Sequence, residues 1–405
     1  MAETTQQAHN RHDTSLSDGT ESQWLLSADS DINPTVSIVM PTLNEQEGIG
    51  ECIERVERAL ATLQIHGEGI ISDSSTDRTP EIARAMGAIV VEPDGKGYGY
   101  AYRYAFERVR GEYVVMGDAD TTYDFEKIPE LLEPVRNREA DICMGSRLEG
   151  EIRDGSMPTL HQYIGNPLLT AFLNLFYEAG VSDAHSGFRV FSRDALDTLD
   201  LESDGMEFAS EMIMDAGAKD LCIEEVPIIY HEREGEETLD SFQDGWRHVR
   251  FMLVNAPGYL FSIPGIMMSL IGAFVMAFAF SGATIGGTGL GPHSMIAGSL
   301  LLIAGVQVLG MGVFATVTAD PIRKPSDPLT EMLLRNLRLD RGVTIGLTLF
   351  TLGSVYAGYL ASRWIASGFI RLPLLMTDIA AFTLIIVGLQ TVFSAFFMSA
   401  VASQR

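Results

Sequence analysis

Two aspartates one residue apart, Asp118 and Asp120, directly follow the apolar run Tyr113-Val114-Val115-Met116. Alternate residues at a strand end can turn two carboxylates around one hard cation, so the pair predicts a Mg2+ or Mn2+ site able to bridge a diphosphate. The plainer alternative is a surface turn, where paired aspartates are common. Asp73 closes another apolar run and is followed by Ser-Ser-Thr-Asp-Arg-Thr. A carboxylate there can accept hydrogen bonds from a nucleobase or ribose, while Asp77 or Thr79 caps the next helix. Gly95-Lys96-Gly97-Tyr98-Gly99 is a glycine-rich turn that lacks the order of a dinucleotide fingerprint. Its small residues let backbone approach a nucleotide with Lys96 near phosphate; an ordinary turn is the alternative. His185 has no i, i+4 partner and reads as a hydrogen-bonded structural residue rather than a metal ligand. No Ser-His or Cys-His pair is spelled out, which agrees with direct displacement rather than an enzyme-bound intermediate.

The elements that must position these groups follow from hydropathy. From Val36 short apolar runs alternate with amphipathic stretches: VSIVM and a helix from about Glu45, GIISD and a helix after Thr79, AIVV and a helix from Gly99, YVVMG and a helix after Phe125. That alternation predicts a doubly wound α/β sheet. Ligands of such sheets sit beyond the carboxyl ends of the strands, where Asn44-Glu45, Asp73-Ser74-Ser75 and Asp118-Ala119-Asp120 fall.

Composition divides the chain. Nearly all acidic residues precede about residue 245, and four later segments, 257–281, 295–319, 343–365 and 374–400, are long and apolar enough to span about 30 Å of hydrocarbon. The organisation predicted is therefore a disordered tail over 1–34, an α/β domain over 35–240, an interfacial juxtamembrane helix over 241–256, and an all-α four-helix transmembrane domain over 257–405. Trp246, Arg247, His248 and Arg250 suit the headgroup zone of membrane lipids. A second surface-lying helix is predicted over 327–340. The connection 320–342 carries Arg323, Lys324, Arg335, Arg338 and Arg341, and 282–294 carries no Lys or Arg. The positive-inside rule then predicts a multi-pass protein of the cell membrane with its α/β domain in the cytoplasm.

A net charge of −26 with only four lysines excludes a nucleic-acid-binding surface. The acid-rich, lysine-poor half resembles proteins of salt-loving archaea, where counterions screen self-repulsion. Cys52, Cys143 and Cys222, far apart and in apolar surroundings, read as buried thiols of a reducing compartment.

VSIVMPTLNE, IISDSSTDRT, GKGYG, GDADTTYDF, GSR and SGFR stand in the order found in family 2 glycosyltransferases, and over about residues 35–255 the set resembles the dolichol-phosphate mannose and glucose synthases. The resemblance implies a GT-A-type nucleotide-sugar-binding domain that transfers a hexose from UDP-glucose or GDP-mannose to a dolichyl or other polyprenyl phosphate. It also implies that Pro41, Asn44, Glu45, Asp73 and Lys96 line the nucleotide, with Asp118 and Asp120 on the metal. Two departures stand out: Thr122 replaces the usual glutamine two residues after the second metal aspartate, and Gly235-Glu236-Glu237-Thr238-Leu239 lacks the usual lysine.

A lipid phosphate monoester, with a second pKa of about 6, is already a dianion near neutrality and needs no strong general base. Cationic positioning is what the protein must supply. Arg147, Arg189 and Arg233 are the candidates because guanidinium grips phosphate bidentately. Structural alternatives are pairing of Arg147 with Asp141 or Glu149, of Arg189 with Asp183, and of Arg233 with neighbouring glutamates. Glu211 lies about where other family 2 enzymes keep a base, and here orients a sugar hydroxyl or serves the fold. Two rival functions fit the sequence less well. A processive polysaccharide synthase usually carries a QxxRW segment, which this sequence lacks, and a lipid-flipping or transport protein with an inactive transferase domain sits poorly with the intact acidic motif.

Overall fold

The computed structural model describes residues 24–177, 179–233, 241–285, 288–318, 332, 339–370 and 376–402. They form two compact units, one of residues 1–158, 186–197 and 224–237, the other of 159–185, 198–223 and 238–405.

The first unit is built on a seven-stranded sheet. Its strands are β1 (Val36–Thr42), β2 (Gly67–Asp73), β3 (Ile89–Val91), β4 (Tyr113–Met116), β5 (Ile142–Ile152), β6 (Arg189–Ser192) and β7 (Ile223–Tyr230), in the order β3-β2-β1-β4-β6-β5-β7. β1 pairs in parallel with β2 and β4, and β2 with β3; β6 runs antiparallel to β4 and β5. The central strands are buried on both faces, which is why they read as continuous apolar runs rather than alternating ones.

Helices α1 (Ile49–Leu63), α2 (Thr79–Ala85), α3 (Tyr98–Phe106), α4 (Ile128–Arg136) and the short α6 (Arg193–Thr198) follow their strands. In α1, Ile49, Cys52, Ile53, Val56, Ala59 and Leu60 are buried at helical spacing, giving one apolar stripe against the sheet. The helix begins at Ile49 rather than near Glu45 because Asn44 holds a left-handed φ of 62° in a turn that precedes it. At the amino-terminal end of the sheet, wholly buried Glu68 accepts from the Ser37 hydroxyl (2.6 Å) and the Arg110 Nε (2.7 Å). That pairing is structural and leaves the opposite strand ends for ligand.

Two expectations are corrected here. Residues 24–26, predicted to belong to a disordered tail, are part of the fold: Leu25 and Leu26 are buried, and Leu25 bridges Gly67 of β2, since apolar side chains there complete the core. Cys222 is exposed in the turn before β7, whereas Cys52 and Cys143 are buried, with burial pushing each of those thiols up to about 12.

The second unit holds α5 (Asn166–Tyr177), α7 (Phe208–Ala218), α8 (Ser241–Asn255) and the long helices α9 (Ile263–Ser281), α10 (Pro292–Thr318), α11 (Leu339–Ala366) and α12 (Met376–Ala402). Four stretches are long and apolar enough to cross a membrane: Gly258–Ser281, Pro292–Thr316, Asp340–Ala366 and Met376–Ala400. α9 packs along α10, and α11 along α12. The Ser299 and Thr383 hydroxyls hydrogen-bond at 2.6 Å, tying α10 to α12. A helix occupies the predicted juxtamembrane segment, with His248 buried and Trp246 60% exposed. Residues 1–23, the 235–239 segment and nearly all of the predicted 327–340 helix lie outside the described residues.

Candidate active site

The site assembles at the carboxyl ends of β1, β2 and β4, where three parallel strands stop together and expose their following turns. β1 and β2 end in register, Thr42 opposite Asp73, and the Thr42 hydroxyl donates to Asp73 Oδ1 at 2.7 Å. Asp73 is thereby buried and oriented. Asn44 bridges the next turn: its amide donates to Ser75 Oγ (2.7 Å) and its Oδ1 accepts from the Thr76 amide (2.9 Å). Asp77 accepts from the Thr79 and Gln46 amides, an Asx turn just ahead of α2, whose N-cap position is Arg78 rather than Asp77 or Thr79. Asn44 therefore shapes the turn beside Asp73.

Asp118 follows β4. Its Oδ1 accepts from the Tyr98 hydroxyl (2.9 Å) and stands 3.4 Å from that of Tyr102, both on α3. These two residues lie one helical turn apart on the same face. Sequence reasoning missed them because tyrosines at that spacing resemble core packing; the signal was Tyr98 within the glycine turn and Tyr102 one helical turn on. Asp118 Oδ2 faces Gly187, where a Cβ would come within 3.1 Å of it, so the glycine leaves room beside the carboxylate. The Gly187 amide donates to the Tyr123 hydroxyl at 2.8 Å, which fastens the SGFR motif behind the aspartate pair.

Asp120 Oδ1 accepts from the Thr122 amide (3.2 Å) and hydroxyl (2.5 Å). Thr122, the departure from the family pattern, thus orients the second aspartate directly. Between them Thr121 adopts φ 65°, a left-handed conformation costly for a β-branched residue and characteristic of functional turns. Asp118 and Asp120 are the residues that could hold a metal: an all-oxygen, doubly anionic pair is the donor chemistry of a hard cation.

Electrostatics mark the same place. Burial, reinforced by Asp120, pushes the Asp118 carboxyl up to about 6, against the opposing pull of the Tyr98 hydrogen bond. Glu45, largely buried, rises to about 7 through desolvation, opposed by Arg233 and helped by Asp120 and Asp118. Clustered carboxylates with raised pKa are a functional signature.

The predicted cations separate into two behaviours. Arg233 Nη2 meets Glu45 Oε1 at 2.5 Å, and its Nη1 lies 3.7 Å from Asp120 Oδ2, so it joins the acidic group. The Arg147 guanidinium lies over the Tyr230 ring, 5.2 Å from its centroid. Arg189 is wholly buried, with Nε donating to Ser186 O at 2.9 Å. Lys96 is exposed two residues before Tyr98, and Pro41 lies in β1 opposite Ser72. The structure therefore brings together Glu45, Asp73, Asp118, Asp120, Arg147 and Arg233 around one set of strand ends.

Glu211 belongs to the second unit. It is wholly buried on α7, and its two oxygens accept from the Glu202 (3.1 Å) and Ser203 (2.8 Å) amides. In the same unit Ser210 Oγ lies 3.2 Å from His185 Nε2 and 3.0 Å from His248 Nδ1, a hydrogen-bonded setting for His185 as predicted.

Residues 37–200 match the glycosyl transferase family 2 domain, and residues 313–402 match the family 2 C-terminal transmembrane region. The hexosyltransferase of low-salt glycan biosynthesis from Haloferax volcanii is 60% identical over 376 residues, covering 93% of this chain and 91% of that one. The dolichyl-phosphate hexose transferase of the same organism is 34% identical over 211 residues, covering 52% of this chain and 89% of its own. Among solved structures, glucosyl-3-phosphoglycerate synthase from Mycobacterium tuberculosis with Mn2+, UDP and glucosyl-3-phosphoglycerate has 24% identity and a TM-score of 0.46, covering 55% of this chain and 80% of that one.

Proposed function

Since the chain belongs to glycosyltransferase family 2, we propose that it moves a hexose from UDP-glucose or GDP-mannose onto a dolichyl or other polyprenyl phosphate. It is a membrane glycosyltransferase whose GT-A-type sheet precedes four apolar helices. The observation carrying the finer reading is the meeting of Asp73, Asp118, Asp120 and Glu45 with Arg147 and Arg233 at the carboxyl ends of parallel strands. The likeness to a dolichyl-phosphate hexose transferase supports the acceptor.

In this reading Asp73, held by Thr42, accepts hydrogen bonds from the nucleoside, while Pro41, Asn44 and Lys96 border the nucleotide. Asp118 and Asp120 would hold Mg2+ or Mn2+, which would supply charge neutralisation for the departing diphosphate. Tyr98 and Thr122 keep the two carboxylates aimed. Arg147 and Arg233 draw the acceptor phosphate toward the anomeric carbon and offset the repulsion between two anionic reactants. A phosphate oxygen of the acceptor forms the new bond to that carbon as the bond to the diphosphate breaks, so the nucleoside diphosphate leaves with the electron pair. The acceptor is already ionised, and no side chain need take its proton. Arg189, wholly buried, acts by holding the Ser186 carbonyl, next to the glycine that faces Asp118. Glu211 braces the 202–203 turn of its own unit rather than moving a proton. The five basic residues of the 320–342 connection support a cytoplasmic position for the catalytic half.

The test is transfer from a panel of labelled nucleotide sugars by the full chain in liposomes, with polyprenyl phosphate or a free glycan as acceptor. Label in a mild-acid-labile polyprenyl product supports the reading. Efficient extension of the free glycan without lipid phosphate would replace it with polysaccharide synthesis.

A further inference from the structure

Residues 156–177 contain no Asp, Glu, Lys or Arg, although they lie in the half of the chain that holds nearly all of its 54 acidic residues. They fold as a π-helical turn, His161–Gly165, that runs into α5. Pro167, in the first turn of α5, has no N–H to donate, which accounts for the irregular junction.

One face of this helix is committed to protein. Thr170, Leu173, Phe176 and Tyr177 are buried; Thr170 Oγ1 accepts from the Ala184 amide (3.2 Å), and Asn174 exchanges hydrogen bonds with the Val181 backbone. The other face is equally apolar and uncovered. Leu160, Tyr163, Ile164, Leu168 and Leu175 are 57–69% exposed. Spacings of four, four and seven residues set Leu160, Ile164, Leu168 and Leu175 on one stripe. An uncovered stripe of large hydrophobic residues on a helix marks a docking surface rather than ordinary exposure.

The occupant is given by what the buried face touches. The Phe176 ring packs on Tyr259, centroids 4.2 Å apart, and Tyr259 lies in the first turn of the membrane-spanning stretch Gly258–Ser281. α5 belongs to the same compact unit as all four spans and packs on α8. α8 in turn presents exposed Trp246, Arg247, Arg250 and Val254, the aromatic, cationic and apolar set found at lipid headgroups. The stripe thus belongs to a helix whose opposite face packs against the start of a span and whose neighbour α8 carries headgroup-type residues, and it bears no charge that lipid would reject.

We infer that residues 160–175 form an in-plane membrane helix, its Leu160, Ile164, Leu168 and Leu175 side chains buried in the acyl region of the leaflet entered by the first span. Such a helix lies about 5–10 Å into the headgroup and acyl boundary. The inference concerns lipid contact and stands whether or not the proposed acceptor is correct.

Depth can be read by nitroxide labels in the full chain reconstituted in phosphatidylcholine and phosphatidylglycerol liposomes. Ile164→Cys and Leu168→Cys would each be made with Cys222→Ser, leaving the two buried cysteines in place. Glu107→Cys, at a side chain 78% exposed on the other unit, serves as the aqueous reference. Labels at 164 and 168 should collide with oxygen severalfold more than with a water-soluble nickel chelate, and the ratio should reverse at 107. Nickel collisions at 164 and 168 equal to those at 107 would overturn the inference. So would labels shielded from both reagents whose dipolar broadening disappears on dilution with lipid, since a second copy of the chain would then be the occupant.

Discussion

Asp118 is the residue on which most of the chemistry converges, because burial penalises its charge while Tyr98 and any bound cation favour it. Its carboxyl is raised to about 6, so it ionises as pH climbs through that value and is protonated below it. Cation binding needs the ionised form and competes with the proton, so at limiting cation transfer should decline as pH falls through about 6, and added cation should push that limb lower. Tyr98→Phe removes a donor that favours the ionised state. The acid limb of its pH–rate profile should move up by about one pH unit, the worth of one hydrogen bond to a charged group. An unmoved limb would mean that Asp118 does not set it. Arg233 makes a second prediction. Arg233→Ala and Arg147→Ala should raise the apparent constant for polyprenyl phosphate far more than that for the nucleotide sugar, and Arg→Lys at either site should do less damage because it keeps charge but loses the planar fork. Titrating each substrate with the other saturating makes the comparison, and equal losses for both would remove the acceptor role.

At the scale of elements, the strand ends were legible because central strands buried on both faces stop abruptly at polar turns, and the aspartates fall at those stops. Partners brought from far along the chain were not. Arg233 reaches Glu45 across 188 positions, and no local pattern announces that pairing. Tyr98 and Tyr102 likewise became site residues only when α3 was packed on β1 and β2, within reach of Asp118. The uncharged 156–177 stretch was readable in composition, yet its two faces separate only once Thr170 and Phe176 are seen buried. The membrane helices were legible from hydropathy, but their seams depend on close approach. A Cβ on Gly388 of α12 would fall 2.5 Å from the Phe350 amide nitrogen and 2.6 Å from Gly346 O, both backbone atoms of α11. Gly388→Val must therefore part the two helices, at a cost of about 1–3 kcal/mol. Thermal unfolding in detergent should show a midpoint several degrees lower. Gly358→Val on α11, with nothing within 4 Å of its Cβ position, should melt like the parent. Equal melts for both variants would show that the seam contributes nothing.

For the whole molecule, two solvents act on one chain. The acidic half sets the net charge of −26, a self-repulsion that concentrated counterions screen, and the apolar half fixes the chain in lipid. With five basic residues in 320–342 and no Lys or Arg in 282–294, epitope tags in the N-terminal tail and in 320–342 should resist external protease in intact cells and be cleaved only after lysis. Cleavage of either tag in intact cells would place the catalytic half outside. The aspartate pair is the proposed centre of transfer. Hexose transfer to polyprenyl phosphate should be compared in liposomes carrying the parent, Asp118→Asn or Asp120→Asn, with Mn2+ supplied and with chelator. Each substitution removes one charge from the cation site, so both variants should lose at least about a hundredfold in rate while inserting and melting like the parent, and chelator should silence the parent equally. Undiminished transfer by both variants in chelator would contradict the account.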